Sequence, residues 1–193
     1  MKKTLLLVGI LLSPACSLMT TTPEEIAYKP TSAQSELYDL PRWAFDGRIA
    51  IVSKSDVAQA SINWEHSPEE DLIKLSGPLG QGAVTIQLNS VGVSIDRGGG
   101  DVKTSTNPEE FINQQVGLFV PVKSLRYWVV GIPEKSQAVS AIENGFEQAG
   151  WNNQYKTMQS VNNYVLPRNM TVTNDSVKLK LFIDQWTLDD KRK

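Results

Sequence analysis

The chain carries one cysteine, Cys16, and one histidine, His66. That inventory removes most metal and nucleophile chemistry, because zinc sites and Cys–His pairs need more such ligands. His66 stands between Glu65 and Ser67 with no second histidine near it, which places it in a solvated turn. The acidic clusters Glu69-Glu70-Asp71 and Asp189-Asp190 lack the spaced oxygen ligands of a calcium loop, so both are expected to be solvated surface. There is no Gly-x-Ser-x-Gly elbow, and a Ser-His-Asp triad would have to recruit His66. Gly77-Pro78-Leu79-Gly80-Gln81-Gly82 has the glycine content of a phosphate loop, yet no Lys-Ser/Thr follows and both flanks read as strand. The expectation is a chain that is not an enzyme, with no catalytic residue, no metal and no bound cofactor.

One reactive group remains, the Cys16 thiol, and its context points to acylation. Lys2 and Lys3 form a positive start, and residues 5–12 are apolar except for Gly9. Such a run is a signal-peptide core and is too short to span a membrane. It ends in Ser13-Pro14-Ala15-Cys16, which resembles a bacterial lipobox, with Ser13 where Leu is usual. On that reading, cleavage precedes Cys16, which then carries a diacylglycerol and an N-acyl chain. The other reading is an ordinary signal peptide followed by an incidental cysteine. One acyl chain anchors only marginally, whereas several hold a protein in its membrane. Ser17 follows the cysteine, and by the sorting rule of Gram-negative lipoproteins a residue other than Asp there directs the chain to the outer membrane. Residues 1–15 are thus the leader, 16–34 a lipidated N-terminus and tether rich in Ser, Thr and Pro, and 35–193 one domain.

Composition sets the remaining limits. Of 193 residues 40% are hydrophobic and 21% charged, with a formal net charge of −2, which fits neither disorder nor a basic nucleic-acid binder. We expect a monomer with no nucleic-acid partner. Removing the leader takes away two lysines and no acid, so the mature chain is more acidic still.

The elements that must position any site are mostly strands. Phe45, Gly47, Ile49 and Ile51 form one face of a strand, and Ala58, Ala60, Ile62 and Trp64 alternate with Gln59, Ser61 and Asn63. Val84, Ile86 and Leu88 alternate likewise, and Val91, Val93 and Ile95 follow a tight turn at Asn89-Ser90. Gly98-Gly99-Gly100 reads as a hairpin turn into Val102 and Thr104. Near the C-terminus Val177, Leu179, Leu181 and Ile183 alternate with polar residues, and Trp186 follows.

The middle changes period. Asn107-Pro108-Glu109-Glu110 is a helix start, with Ile112, Val116 and Phe119 as its apolar stripe and Pro121 as its stop. A second helix is expected over residues 122–130, ended by Gly131 and Pro133, and a short one over 35–40. The fold class is therefore mainly β with a helical insert. An incomplete, strongly curved antiparallel barrel with helices across its opening fits, and so does a flatter sheet with helices on one side.

Two features are left over. Leu79, between Pro78 and Gly80 at a hairpin tip, is either a single exposed leucine or a membrane or partner contact. The five tryptophans are either core packing or the lining of a concave apolar cavity, for which Ile49, Ile62, Trp64, Trp128 and Trp186 are the candidates.

Taken together, several segments resemble the LolB family of outer-membrane lipoprotein receptors. They are the lipobox with Ser17, Phe45-Asp46-Gly47-Arg48-Ile49-Ala50, the strand ending at Trp64 and the loop Gly77-Pro78-Leu79-Gly80. The stretch from Pro121 through Leu125-Arg126-Tyr127-Trp128 to Gly131-Ile132-Pro133 adds to them, as do Leu179-Lys180-Leu181 and Asp184-Gln185-Trp186. The resemblance implies an incomplete barrel around a hydrophobic cavity that takes lipoprotein acyl chains from the periplasmic carrier LolA. The cargo is then released into phospholipid of the inner leaflet of the outer membrane, without nucleotide. It also implies that Leu79, flanked by Pro78 and Gly80, is the protruding residue that enters the membrane. The rival expectation is a structural or assembly lipoprotein whose curved face binds a protein or cell-wall partner.

Overall fold

Alternation of apolar and polar residues produces long strands, and their register decides which side chains share a face. The computed structural model describes residues 26–29, 32–54, 57–77, 82–116 and 121–189. The first strands are β1 (Trp43–Ser53), β2 (Val57–His66), β3 (Glu70–Ser76), β4 (Val84–Asn89), β5 (Val93–Asp96) and β6 (Val102–Ser105). Two helices follow, α1 (Pro108–Val116) and α2 (Val122–Trp128). The chain then returns to strands with β7 (Val139–Ile142), β8 (Gly145–Gln148), β9 (Trp151–Val161), β10 (Tyr164–Thr173) and β11 (Val177–Leu188). A 3-10 helix, Ser32–Asp39, precedes them where a short helix was expected.

All eleven strands form one antiparallel sheet in the order β6-β5-β4-β3-β2-β1-β11-β10-β9-β8-β7. Every neighbouring pair is a hairpin except β1 with β11, which joins the first and last strands at the centre. The free edges are β6 and β7, and the helical insert lies between them in sequence. The helices therefore cross the open side of a curved sheet and bury Ile112, Val122, Leu125 and Trp128 against its inner face. An open, strongly curved sheet is what the structure contains, rather than a flat sheet with helices on one side. Among the described residues no helix is long and apolar enough to cross a membrane.

Inner positions of β1 are Trp43, Phe45, Gly47, Ile49 and Ile51, and outer ones include Asp46 and Arg48. Gly47 falls where the β1–β11 register shifts, and a Cβ there would collide with the carbonyl of Phe182. That collision explains a glycine in the middle of a buried strand. Gly98, Gly99 and Gly100 all have positive φ in the β5–β6 turn, as the triple glycine predicted.

One strand boundary needs correction. Val91 is an exposed turn residue and not part of a strand, because Asn89 Oδ1 accepts the amides of Val91 and Gly92 and closes the turn around it. Residues 70–76 form the strand expected before Gly77, although Asp71 within it is buried and not solvated. The region 139–173, in which no element was expected, contributes four strands. Within the stretch read as tether, Ile26 pairs with Met158 and Tyr28 is buried against Tyr155. Phe119, at the end of the α1 stripe, lies outside the described residues.

Candidate functional site

The strand register assembles an aromatic cluster at one end of the half-barrel. Phe45 lies opposite Trp64 on β2 and opposite Trp186 on β11. Its ring centroid is 5.2 Å from that of Trp186 and 6.1 Å from that of Trp64. Trp43 completes the group, 5.5 Å from Trp64 and 5.9 Å from Trp186. Two of its three indole N–H groups donate within the fold, Trp186 to the carbonyl of Pro167 at 2.9 Å and Trp64 to Asp71 at 3.1 Å. Buried indoles with paired nitrogens give a rigid wall.

Asp71 is the least expected member of this end. It was read as solvated surface, yet it is fully buried. His66, read as a solvated turn residue, is only 14% exposed, and its Nδ1 lies 2.8 Å from Asp71 Oδ1. The guanidinium of Arg126, on α2, closes on the other carboxylate oxygen. A buried carboxylate is tolerable only with such partners, since removing a charge from water costs several kcal/mol unless it is paired and hydrogen-bonded. The chain reversal at Ser67 makes this possible: its hydroxyl accepts the Glu70 amide and turns β2 back into β3, so Asp71 lies across from His66. His66 and Asp71 pair as a base and its orienting carboxylate would. However, Ser67 Oγ is engaged with the backbone of Glu69 and Glu70, which leaves it no part in a triad. The acid and the histidine act instead as a clasp that ties α2 to the sheet. A polar cleft of about 420 Å³, lined in part by Asn89, Lys123, Arg126 and Glu134, opens beside it.

The opposite wall holds α2 with neutral groups. Trp128 Nε1 donates to Gln148 Oε1 at 2.8 Å, and the Tyr155 hydroxyl donates to the Trp128 carbonyl at 2.8 Å. Gln148 also accepts the Glu134 amide and donates to the carbonyls of Glu134 and Gln137. Complete burial pushes the Tyr155 hydroxyl well above its ordinary value, so it remains a donor. Trp128 thus belongs to this second packing, beside Trp151 at 6.4 Å, and not to the Phe45 cluster.

At the other end of the half-barrel the inner face loosens. Ile62 is buried, but Ile49, Ile51, Leu75 and Val84 are only partly covered, and Ala60 is half-buried. From Trp64 to Ala60 along β2 is about 13 Å. The inner face therefore passes over that distance from packed indole to half-bare aliphatic surface. This looser end is the one at which β3 and β4 connect. Pro78, Leu79 and Gly80 belong to that connection and lie outside the described residues, as does Cys16. Of the five predicted lining residues, Ile49, Ile62, Trp64 and Trp186 share the inner face of neighbouring strands, whereas Trp128 enters from α2. Sequence reasoning missed Asp71, Gln148 and Tyr155. Asp71 alone had a signal, a lone histidine five residues before it and an arginine in the Leu-Arg-x-Trp segment.

Among the described residues no group of His, Cys, Asp and Glu could hold a metal ion.

The chain matches the family described as Outer membrane lipoprotein LolB over residues 41–186. It is 31% identical to the outer-membrane lipoprotein LolB of Marinomonas sp. (strain MWYL1) over 181 residues, covering 90% of this chain and 91% of that one. It is 30% identical to the outer-membrane lipoprotein LolB of Halorhodospira halophila over 192 residues, covering 96% and 94%. In fold it is similar to a LolA-superfamily protein from Nitrosomonas europaea, with a TM-score of 0.51 and 8% identity over 83% of this chain and 95% of that one. A DUF1329 family protein from Desulfovibrio piger has the same TM-score with 7% identity, over 83% and 90%. At those identities the likeness is one of fold alone.

Proposed function

The chain belongs to the LolB family of outer-membrane lipoproteins, and on that premise we propose that it is a receptor which buries the acyl chains of incoming lipoproteins inside its half-barrel. The observation that carries this is the gradient of the inner face, closed by indoles at one end and left half-bare by aliphatic residues at the other. Acyl chains cannot cross water exposed, so each carrier on the route must offer apolar cover. The donor in this reading is the periplasmic carrier LolA, and the acceptor is phospholipid in the inner leaflet of the outer membrane. No nucleotide is needed if each successive site binds the chains more tightly, since about 1.4 kcal/mol per step biases a handover tenfold.

Cys16, acylated, anchors the receptor where cargo is delivered. Leu79 enters the bilayer beside the looser end and contributes up to about 1.5–3 kcal/mol, enough to aim the opening at lipid. A structural or assembly lipoprotein would have a concavity indifferent to acyl chains, and membership of this family does not favour it.

The test mixes the chain from residue 16, carrying Cys16→Ala, with LolA holding a labelled lipoprotein. The label is expected to move to the receptor without ATP and then to liposomes. Leu79→Glu should leave acceptance intact and reduce release. A folded receptor that takes up no label would overturn the reading, and normal release by Leu79→Glu would remove that residue's role.

A further inference from the structure

The net charge is −2, yet the outer face of the central strands is basic. Arg48 on β1, Lys178 and Lys180 on β11, Arg168 on β10 and Lys156 on β9 lie on or beside neighbouring outer positions. Lys180 faces Ala50 on one side and Thr171 on the other, and Lys178 faces Val52 and Thr173. Phe182 projects from the same face, with the Arg48 guanidinium 4.4 Å from its ring centroid and that of Arg168 at 5.7 Å. Arg48 also pairs with Asp184 at 2.9 Å, and it alone of the five basic residues meets a carboxylate among the described residues. The acids bordering the patch are Asp46 and Asp184 past Arg48, Asp175 in the turn past Thr173 and Lys178, and Glu147 past Asn152.

The patch is not flat. A groove of about 750 Å³ runs over Arg48, Ala50, Gln59, Asn169, Lys180 and Phe182. Val57, opposite Val52, is 57% exposed at the end of the face nearest the β3–β4 connection. Long basic side chains around an outward aromatic ring and small apolar residues suit a boundary between water and lipid, where stems lie on apolar surface and charged ends meet phosphate. Arg48 turns its N–H edge to Asp184, whereas the Arg168 guanidinium, set against the same ring, keeps its N–H edge for such an anion.

We propose that this face rests on a membrane bearing anionic phospholipid, with Lys178, Lys180 and Arg168 meeting headgroup phosphates. The charge of the face selects this occupant, and its position beside the β3–β4 connection lets headgroup contact and entry of Leu79 occur together. The inference rests on the receptor reading only in taking a bilayer to be at hand.

The chain from residue 16 with Cys16→Ala would be mixed with vesicles of phosphatidylcholine alone or of phosphatidylcholine with phosphatidylglycerol. It should bind the anionic vesicles far better and lose that preference as salt rises. Lys178→Gln with Lys180→Gln should weaken anionic binding about thirtyfold, since each basic residue near such a surface contributes roughly fivefold. Arg168→Gln should weaken it about fivefold. Equal binding to both vesicles, or variants that bind as the parent does, would overturn the proposal. So would variants that bind vesicles normally but take cargo from LolA poorly, because the face would then be a protein contact. Acceptance in solution is read separately: a parent chain that accepts no cargo yet prefers anionic vesicles would fail as a receptor while this surface stands.

Discussion

The two ends of the half-barrel are made from the same strands and differ in what their inner faces do. At the Trp43 end, four aromatic rings fill the space, the Trp64 and Trp186 nitrogens are paired, and a buried carboxylate fastens α2. At the end where β3 joins β4, the inner positions are Ile, Ala, Leu and Val, and they are only partly covered. A cavity that must admit and then release acyl chains needs both. One end holds the sheet's curvature, and the other presents apolar surface whose exposure costs little because the side chains are small. The difference places stability at one end and binding at the other.

Truncation should separate them most sharply. Trp64→Ala removes a fully buried indole and one donor to Asp71, and should cost about 3–5 kcal/mol. Ile49→Ala, on the half-covered end, should cost about 1 kcal/mol. Urea midpoints of the two variants measure the contrast, and equal losses would erase the proposed division.

The clasp comes next. Arg126→Met removes the cation from a buried carboxylate that keeps His66 and Trp64 as partners, so the loss should be about 2 kcal/mol, below the 3–5 of an abandoned buried charge. Adding Asp71→Asn should recover part of it, since a neutral amide is cheaper to bury. A double variant no more stable than Arg126→Met would show that the carboxylate is not what the arginine serves.

Filling the loose end tests it from the opposite direction. Ala60→Trp places an indole where the inner face is half-bare, and stability should change by no more than about 0.5 kcal/mol. Uptake of lipoprotein should fall severalfold. A large loss of stability would mean that this end is already packed.

Much of this contrast was legible in the residues. Period-two alternation around Phe45, Trp64 and Leu179 located the central strands, and Asn107-Pro108 located the first helix. The curvature followed from many strands with a helical insert, although the flatter sheet remained open until the order of strands placed α1 and α2 between the two free edges. Residues 139–173 were hidden for a physical reason. β9 turns Asn153 and Thr157 inward, and β10 carries Pro167 at an irregular register, so neither alternates cleanly. Asp71 was misread because an acid beside two other acids belongs on the surface unless a distant cation reaches it. Arg126, on another element, supplies that cation, and local sequence cannot show the meeting.

Glu134 offers the finest test, because it fastens the chain just after α2 to the firm wall. Its carboxylate accepts the hydroxyls of Ser124 and Ser136, each at 2.6 Å, and the Gln137 amide at 2.7 Å. Burial pushes this carboxyl up, but the three donors outweigh it and hold the group below its ordinary value. A carboxyl depressed in the folded state contributes stability that is complete above its unfolded value, about 4.3, and fades as pH falls through the folded one. The parent should therefore melt above Glu134→Gln at neutral pH, by less than any change predicted above, because the group is only partly buried and water screens it. Below the folded value the two melting temperatures should draw together, since protonation leaves the parent with the same neutral side chain. A gap that persists unchanged into acid would place the effect of Glu134 in packing and not in its charge, and α2 would then be held to the firm wall by Gln148 and Tyr155 alone.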